Sequence, residues 1–503
     1  MKPQGSSRRE FLKNVGVIAA AGLAGRGNGR LGDILDLPKT GEANVSQAER
    51  GAADYTLRIG AAAVEIGKKQ IVSAITYNGQ FPGPLLRFKE GQPVVVDVHN
   101  DTDTPEQLHW HGQFVSTDVD GAEEEGTPFI AAHGMRRLVF TPKPAGLRFY
   151  HTHNHAGADL HAGQYSGQVG AVYIEPKNEQ GKFDREVFLV LKEFEPSLSR
   201  GGDMPQDFLA PAESEKELKE SGERAMKASL AKGTPHGYEV SYRYFTINGK
   251  MLGHGEPIRV KQGERVLFHV VNGSATEIRS LALPGHTFKV VALDGNRTPV
   301  QAEVPVLWLG TAERISAIVE MKHPGVWVMG DLADDDRGHG MGIVVEYAEH
   351  AGKALWVKPP MFHWNYLRFG KAEKAAEADQ VIEMTFAKRN AADNGFNRWT
   401  INDVAFSMEK PAAKVHLQLG RRYRLRMRNG SDDIHPVHLH RHSFELTKFA
   451  GKATSGVMKD VVMVGGYQEV EMDFVADNPG LTLFHCHQQL HMDFGFMSLF
   501  DYA

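Results

Sequence analysis

Cys486 stands between two histidines in Phe484-His485-Cys486-His487, with His491, Gly495 and Phe496 close behind. It is the only cysteine in 503 residues and so has no intramolecular disulfide partner. The residues before it, Leu481-Thr482-Leu483-Phe484, are β-branched or apolar and predict a strand. Side chains on a strand alternate between faces, so His485 and His487 point one way and Cys486 the other. A thiolate, two imidazoles and a weak axial position form the ligand set of a blue-copper electron-transfer site. Histidines on the opposite face can serve a second metal centre a few covalent bonds away. This motif alone leaves open a structural cysteine buried among packing histidines.

Further histidines fall in pairs: His109-Trp110-His111, His151-Thr152-His153 and His438-Leu439-His440. Each H-x-H places both imidazoles on one strand face. With His485 and His487 there are four pairs, too many histidines for one mononuclear centre. His435, three residues before His438, points to the other face of a regular strand, the side of Cys486. Pro436 weakens that parity argument without reversing it.

The elements that must carry these pairs repeat three times. Asn78-Gly79, Glu90-Gly91-Gln92 and Val98-His99-Asn100 return as Asn248-Gly249, Gln262-Gly263-Glu264 and Val271-Asn272. They return again as Asn402-Asp403, Leu419-Gly420-Arg421 and Arg428-Asn429. Nine positions after the last Asn of each copy come His109-Trp110-His111, Leu281-Ala282-Leu283 and His438-Leu439-His440. Five positions after a later Gly come His151-Thr152-His153, Gly330-Asp331-Leu332 and His485-Cys486-His487. The middle copy lacks histidines at both places. Period-2 alternation is plain at Tyr423, Leu425 and Met427 between arginines, and at Val470, Met472 and Phe474 between acids. These patterns predict three β modules at 47–180, 181–350 and 351–503. The first and third carry metal ligands, and the second is a spacer. The site is expected where the first and third meet, since domain interfaces favour such sites.

Length and composition agree, because 503 residues allow roughly three domains. The net charge of −5 offers no basic field for nucleic acid, and 53 glycines with 24 prolines fit a turn-rich fold. No apolar run reaches the ~20 residues of a membrane span. Ser7-Arg8-Arg9-Glu10-Phe11-Leu12-Lys13, followed by the apolar 15–25, resembles a twin-arginine signal. Residues 1–46 then read as signal and linker, the Tat export machinery as a partner, and the periplasm or exterior as destination. Helical periodicity is clear only at Ala212–Lys232, which reads as a solvated insert in a loop rather than a lid.

Taken together, the four histidine motifs and Asn78-Gly79-Gln80-Phe81-Pro82-Gly83-Pro84 resemble those of three-domain multicopper oxidases of the laccase-like branch. The resemblance covers nearly everything after residue 50. It implies an all-β fold of three consecutive cupredoxin-like Greek-key β-sandwich or barrel domains, and four copper ions. By motif position, His435, Cys486 and His491 would bind the type 1 ion, and His109 and His438 the type 2 ion. His111, His151 and His487 would bind one type 3 ion, and His153, His440 and His485 the other. The implied activity is one-electron oxidation of phenols or aromatic amines, coupled to reduction of O2 to water. Asp120 sits where relatives carry an acid beside the cluster, with a turn-forming Asp-Gly as an alternative that can hold at once, and Asp493 is a second candidate acid. Phe496 occupies the axial position, where some relatives carry Met. A phenyl ring cannot donate, which predicts a high-potential site; Met497 would serve only after a bulge. The run Glu123-Glu124-Glu125 reads as a solvated loop, His155 and His161 as outer neighbours or surface residues, and His442 as a neighbour of the ligands.

Two other readings remain. One is a cuprous-ion oxidase, although the 17 methionines are scattered and the helical insert holds only Met226. The other is a non-enzymatic copper-binding protein, although no ligand is missing. A copper nitrite reductase is disfavoured by the presence of His487. Oligomeric state is not legible.

Overall fold

The computed structural model describes residues 51–177, 182–200, 208–210, 216–231, 236–409 and 415–502. The expected signal around Arg8-Arg9 and the expected linker after it lie outside the described residues. Among the described residues, six sheets fall in three consecutive pairs: four and four strands over 55–175, seven and five over 185–347, and six and five over 380–502. Each pair is a sandwich, and each opens with the same parallel pairing. Tyr55–Ile59 lies beside Val96–Asn100, Arg185–Leu191 beside Val266–Asn272, and Gln380–Phe386 beside Tyr423–Asn429.

The repeated asparagines explain why this geometry recurs. Asn78, Asn248 and Asn402 adopt φ of 56°, 52° and 51°, a left-handed turn that Asn tolerates. Each side chain then accepts a backbone N–H from the first strand of its module and donates to a carbonyl two residues earlier: Arg58 and Thr56, Val190 and Phe188, Thr385 and Glu383. Asn100, Asn272 and Asn429 are buried. Their amides donate to the carbonyls of Ile130, Leu309 and Gly465, while their oxygens accept from Thr102, Ser274 and Ser431. This side chain binds two chain crossings at the entrance to the strand nine residues on. In the first and third modules that strand is His109–His111 and His435–Leu439; in the second it is Arg279–Ala282.

The expected alternation is present. In Arg422–Asn429, Tyr423, Leu425 and Met427 are buried, while Arg424, Arg426 and Arg428 reach Asp473, Glu471 and Glu469 on the paired strand. The insert helix spans Lys216–Ala231. It is less detached than its composition predicts. A Cβ on Gly222 would lie 2.1 Å from Cε1 of Tyr467, so glycine permits the close approach. Met226 Sδ accepts from Asn390 Nδ2 at 3.2 Å. One face therefore rests on the third module. No helix among the described residues is long and apolar enough to cross a membrane.

Candidate metal centres

Strand Thr482–Cys486 lies inside a five-stranded sheet, antiparallel to both His435–Leu439 and Met497–Tyr502. Cys486 is opposite Val437, and His485 is opposite His438. Cys486 Sγ is 3.6 Å from His435 Nδ1 and 3.5 Å from His491 Nδ1, and these nitrogens are 3.1 Å apart. The local hydrogen bonds set the tautomer of His435. Ser431 gives its hydroxyl hydrogen to Asn429 Oδ1, so its oxygen accepts from His435 Nε2 at 2.9 Å. His435 Nδ1 is then a bare lone pair aimed at Cys486 and His491. Burial drives His435 well below its ordinary pKa, holds His491 down at about 3, and pushes the Cys486 thiol far up. Neutral imidazoles beside a thiol in an apolar site are what a soft cation converts to a thiolate centre. Trp399 and Phe496 wall the site, with ring centroids 4.2 Å from His491 and 4.6 Å from His435 respectively. Met497 instead packs with Phe406, Leu483, Met492 and Leu499.

On the other side of the same strand, eight histidines from the first and third modules converge. His109 stacks on His440 at 4.2 Å and His111 on His438 at 3.8 Å, both contacts crossing between modules. Backbone carbonyls accept from the Nδ1 of four rings: Asp120 from His109 at 2.8 Å, Asp460 from His438 at 2.7 Å, Thr152 from His151 at 2.7 Å and Cys486 from His485 at 2.9 Å. A carbonyl can only accept, so Nδ1 carries the proton and Nε2 is left as a lone pair. The carboxylate of Asp120 does the same for His440 at 2.9 Å. Two of those lone pairs face each other, His440 Nε2 and His485 Nε2 at 3.0 Å, and that of His151 Nε2 lies 3.4 Å from His487 Nε2. Nε2 of His109 and of His438 is buried with no hydrogen-bond partner among the described residues. Acceptors opposed at such distances repel unless a cation lies between them.

The donor set therefore fits metal. Its atoms group within 4.8 Å of one another as His109/His111/His438, His111/His151/His487, His153/His440/His485 and His435/Cys486/His491. Burial, reinforced by the neighbouring imidazoles, holds His111, His440 and His487 well below the usual histidine range and His485 at about 3. The rings are thus ready as neutral ligands.

The acids around this group were only partly legible. Asp120 ends the short helix Thr117–Asp120, where Gly121 turns at φ 94° with its α-carbon against the Leu108 carbonyl. It is both a turn residue and a carboxylate at the cluster. The reading of Glu123-Glu124-Glu125 as solvated is corrected. A 3-10 turn carries two of the three side chains inward, leaving Glu124 and Glu125 only 3% exposed. Glu124 Oε2 lies 3.5 Å from His153 Nδ1. Glu125 Oε1 accepts the Leu483 N–H at 2.7 Å and lies 3.5 Å from His440 Nδ1. Burial, then the neighbouring Asp120, raises the Glu125 carboxyl well above the usual range.

Asp460 carries no motif and was missed. Its Oδ1 meets His111 Nε2 at 3.1 Å, and its two oxygens take Arg314 Nη1 at 2.5 Å and Nη2 at 2.6 Å. Arg148 Nη1 is 3.4 Å away. One fully buried carboxylate thus joins the first, second and third modules. Its one hint in sequence is a Lys-Asp pair directly before Val461-Val462-Met463-Val464. Asp493 ends the helix Gln489–Asp493, and its carboxylate accepts the N–H groups of Ala156 and Gly157. His442 is buried between the His440 carbonyl and the Tyr502 hydroxyl, and His161 is exposed.

The multicopper oxidase family profiles match residues 58–179, 214–347 and 377–503. Multicopper oxidase MmcO of Mycobacterium tuberculosis is 28% identical over 455 residues, covering 86% of this chain and 84% of that protein. A copper resistance protein A homolog of Pseudomonas syringae pv. tomato is 29% identical, covering 63% of this chain and 54% of that protein. The crystal structure of Fet3p, a multicopper oxidase that functions in iron import, superposes with a TM-score of 0.71 at 18% identity, covering 89% of this chain and 90% of that one. These matches and the shared three-module cupredoxin architecture agree with the ligand chemistry. This chain belongs to the multicopper oxidases, copper-binding oxidoreductases that use O2 as electron acceptor.

Proposed function

We propose that the protein is a laccase-like oxidase that takes single electrons from phenols or aromatic amines and delivers them to O2, which is reduced to water. His435, Cys486 and His491 would hold a type 1 copper and His109 and His438 a type 2 copper. The sets His111/His151/His487 and His153/His440/His485 would hold a type 3 pair. Bound copper supplies one-electron chemistry at the first centre and O2 reduction at the second. The observation that carries this reading is the split at Cys486. Its sulfur lies 3.5 and 3.6 Å from the Nδ1 atoms of His491 and His435, while its chain neighbours His485 and His487 stand in the eight-histidine group. Electrons then have two covalent routes between centres, each crossing one peptide unit.

The remaining residues orient and insulate. The carbonyls at Asp120, Thr152, Asp460 and Cys486 keep Nε2 of the ligand rings free. Trp399 and Phe496 exclude water from the Cys486 side, and the phenyl ring of Phe496 would offer no donor atom to a copper held there. Asp120 Oδ2, bound to His440 Nδ1, is placed to hold protons consumed at the cluster, with Asp493 as the more distant acid. The likeness to copper resistance protein A supports cuprous ion as a second donor class. The three pairs of sheets favour module boundaries near 180 and 350, and Arg8-Arg9 favours Tat export to the periplasm or exterior.

Oxygen uptake by the copper-loaded protein tests the donor. Uptake with a simple phenol that exceeds uptake with Cu(I) supports the laccase-like reading. The reverse order assigns the chain to metal-ion oxidation, and no uptake with either removes the oxidase reading.

A further inference from the structure

Of the eight clustered histidines, His153 is held least by its own surroundings. Neither of its ring nitrogens has a hydrogen-bond partner among the described residues, whereas five of the other rings are anchored at Nδ1 by a carbonyl or by Asp120. The nearest anchoring group is Glu124, with Oε2 at 3.5 Å from His153 Nδ1. Glu124 is itself held from the other side, where its Oε1 accepts from His155 Nε2 at 2.8 Å. The second nitrogen of His155 lies 3.1 Å from Asp493 Oδ1.

Asp493 belongs to the third module, on the helix that follows His487 and carries His491. It is locked there. Gln489 Nε2 donates to its Oδ1 at 2.9 Å, and its Oδ2 accepts the Ala156 and Gly157 N–H groups at 3.0 and 2.7 Å. Gln489 in turn accepts the Gln164 N–H at 3.0 Å. The segment after His153 is thus laced to the helix after His487 at several points, and among the described residues His155 is the side chain that connects this lacing to the carboxylate beside His153. A solvated charge run would do none of this, and Glu124 is among the buried residues.

We propose that His155 is a positioning residue: the bridge Glu124–His155–Asp493 sets His153 of the first module against His485 and His487 of the third, and so fixes the spacing of the type 3 pair. This rests on the oxidase reading above. Such an outer partner orients a ligand and its loss costs roughly 10–100-fold in metal affinity or activity.

The test uses the full-length, copper-loaded protein and compares wild type with His155→Ala and Glu124→Gln. A magnetically coupled pair is silent in electron paramagnetic resonance, so the detectable fraction of copper reports the spacing directly. His155→Ala should keep the blue band of the Cys486 centre. It should raise the detectable copper fraction, or lose copper from the pair, and weaken O2 use roughly 10–100-fold with the donor KM unchanged. Glu124→Gln keeps an acceptor for His155 but turns an N–H toward His153 Nδ1, so it should give the same signature in a chain of unchanged shape. It remains informative if His155→Ala does not fold. The effects of the two substitutions should not add, because both break one bridge. A silent pair and wild-type O2 use in both variants would overturn the proposal. A wild type without a blue band or without a silent pair would instead refute the oxidase reading beneath it.

Discussion

The middle module and its two flanking copies share one frame and use it in opposite ways. At the strand fixed by the buried asparagine, the middle module places Leu281 and Leu283, each no more than 1% exposed. The flanking modules place His109 and His111, or His438 and His440, which are equally buried. A buried leucine contributes ~1.5–3 kcal/mol of transfer free energy. A buried neutral imidazole with a facing lone pair costs free energy until something satisfies it. The second repeated position shows the same division. Where the other modules carry histidines, the middle one has Gly330 and Leu332, and the Asp331 carboxylate between them is satisfied by Ser280 N at 3.0 Å and Ser280 Oγ at 2.8 Å. The fold therefore does not need the histidines. They are an unsatisfied set that metal completes, hung on a frame that the middle module shows to be stable without them.

The largest break in that comparison is Cys486→Ser. It should abolish the blue band and donor oxidation while leaving far-ultraviolet circular dichroism unchanged, since a hydroxyl nearly matches the thiol in size. Asp460→Ala comes next, because it leaves Arg314 and Arg148 buried without their carboxylate. Removing one partner of such a pair costs about 3–5 kcal/mol, to be read as a lower denaturant midpoint even in the copper-free protein. Installing the flanking chemistry in the middle frame, by Leu281→His with Leu283→His, should destabilise by about 1.5–3 kcal/mol for each leucine lost and bind no additional copper. Extra copper with no loss of stability would show that the two kinds of module are interchangeable.

Acidification sharpens the contrast. In the metal-free fold, burial holds His485 and His491 at about 3, against an unfolded value near ~6.5. The folded state then binds fewer protons, so their contribution is complete above about pH 6.5 and is lost progressively toward about pH 3. At pH 5 this amounts to about 2 kcal/mol per histidine, seen as a falling melting temperature of the copper-free protein. The smallest effect is expected from Phe496→Met, which offers a soft axial donor and should lower the reduction potential of the Cys486 centre without bleaching it.

The parts legible in sequence were those where local chemistry and chain periodicity coincide. The alternation around Cys486 separates its sulfur from His485 and His487, and the threefold asparagine spacing anticipates the three sandwiches. What escaped depends on contacts between distant segments. Glu124 and Glu125 look like any surface run, because only the 3-10 turn at 123–125 decides which way they face. Asp460 acquires its role from Arg148 and Arg314, 312 and 146 residues away. The insert helix appears solvated by composition, and its docking depends on one missing side chain, at Gly222, meeting Tyr467.

The most direct test of the two-centre account is an anaerobic bleaching cycle on the copper-loaded protein. Under argon, a phenol should discharge the blue band of the Cys486 centre, and the colour should return only when O2 is admitted, as electrons pass to the eight-histidine group. A copper-replete protein with no blue band would show that Cys486, His435 and His491 do not form the entry centre. A blue band that O2 cannot restore after reduction would show that the two histidine sets do not work together.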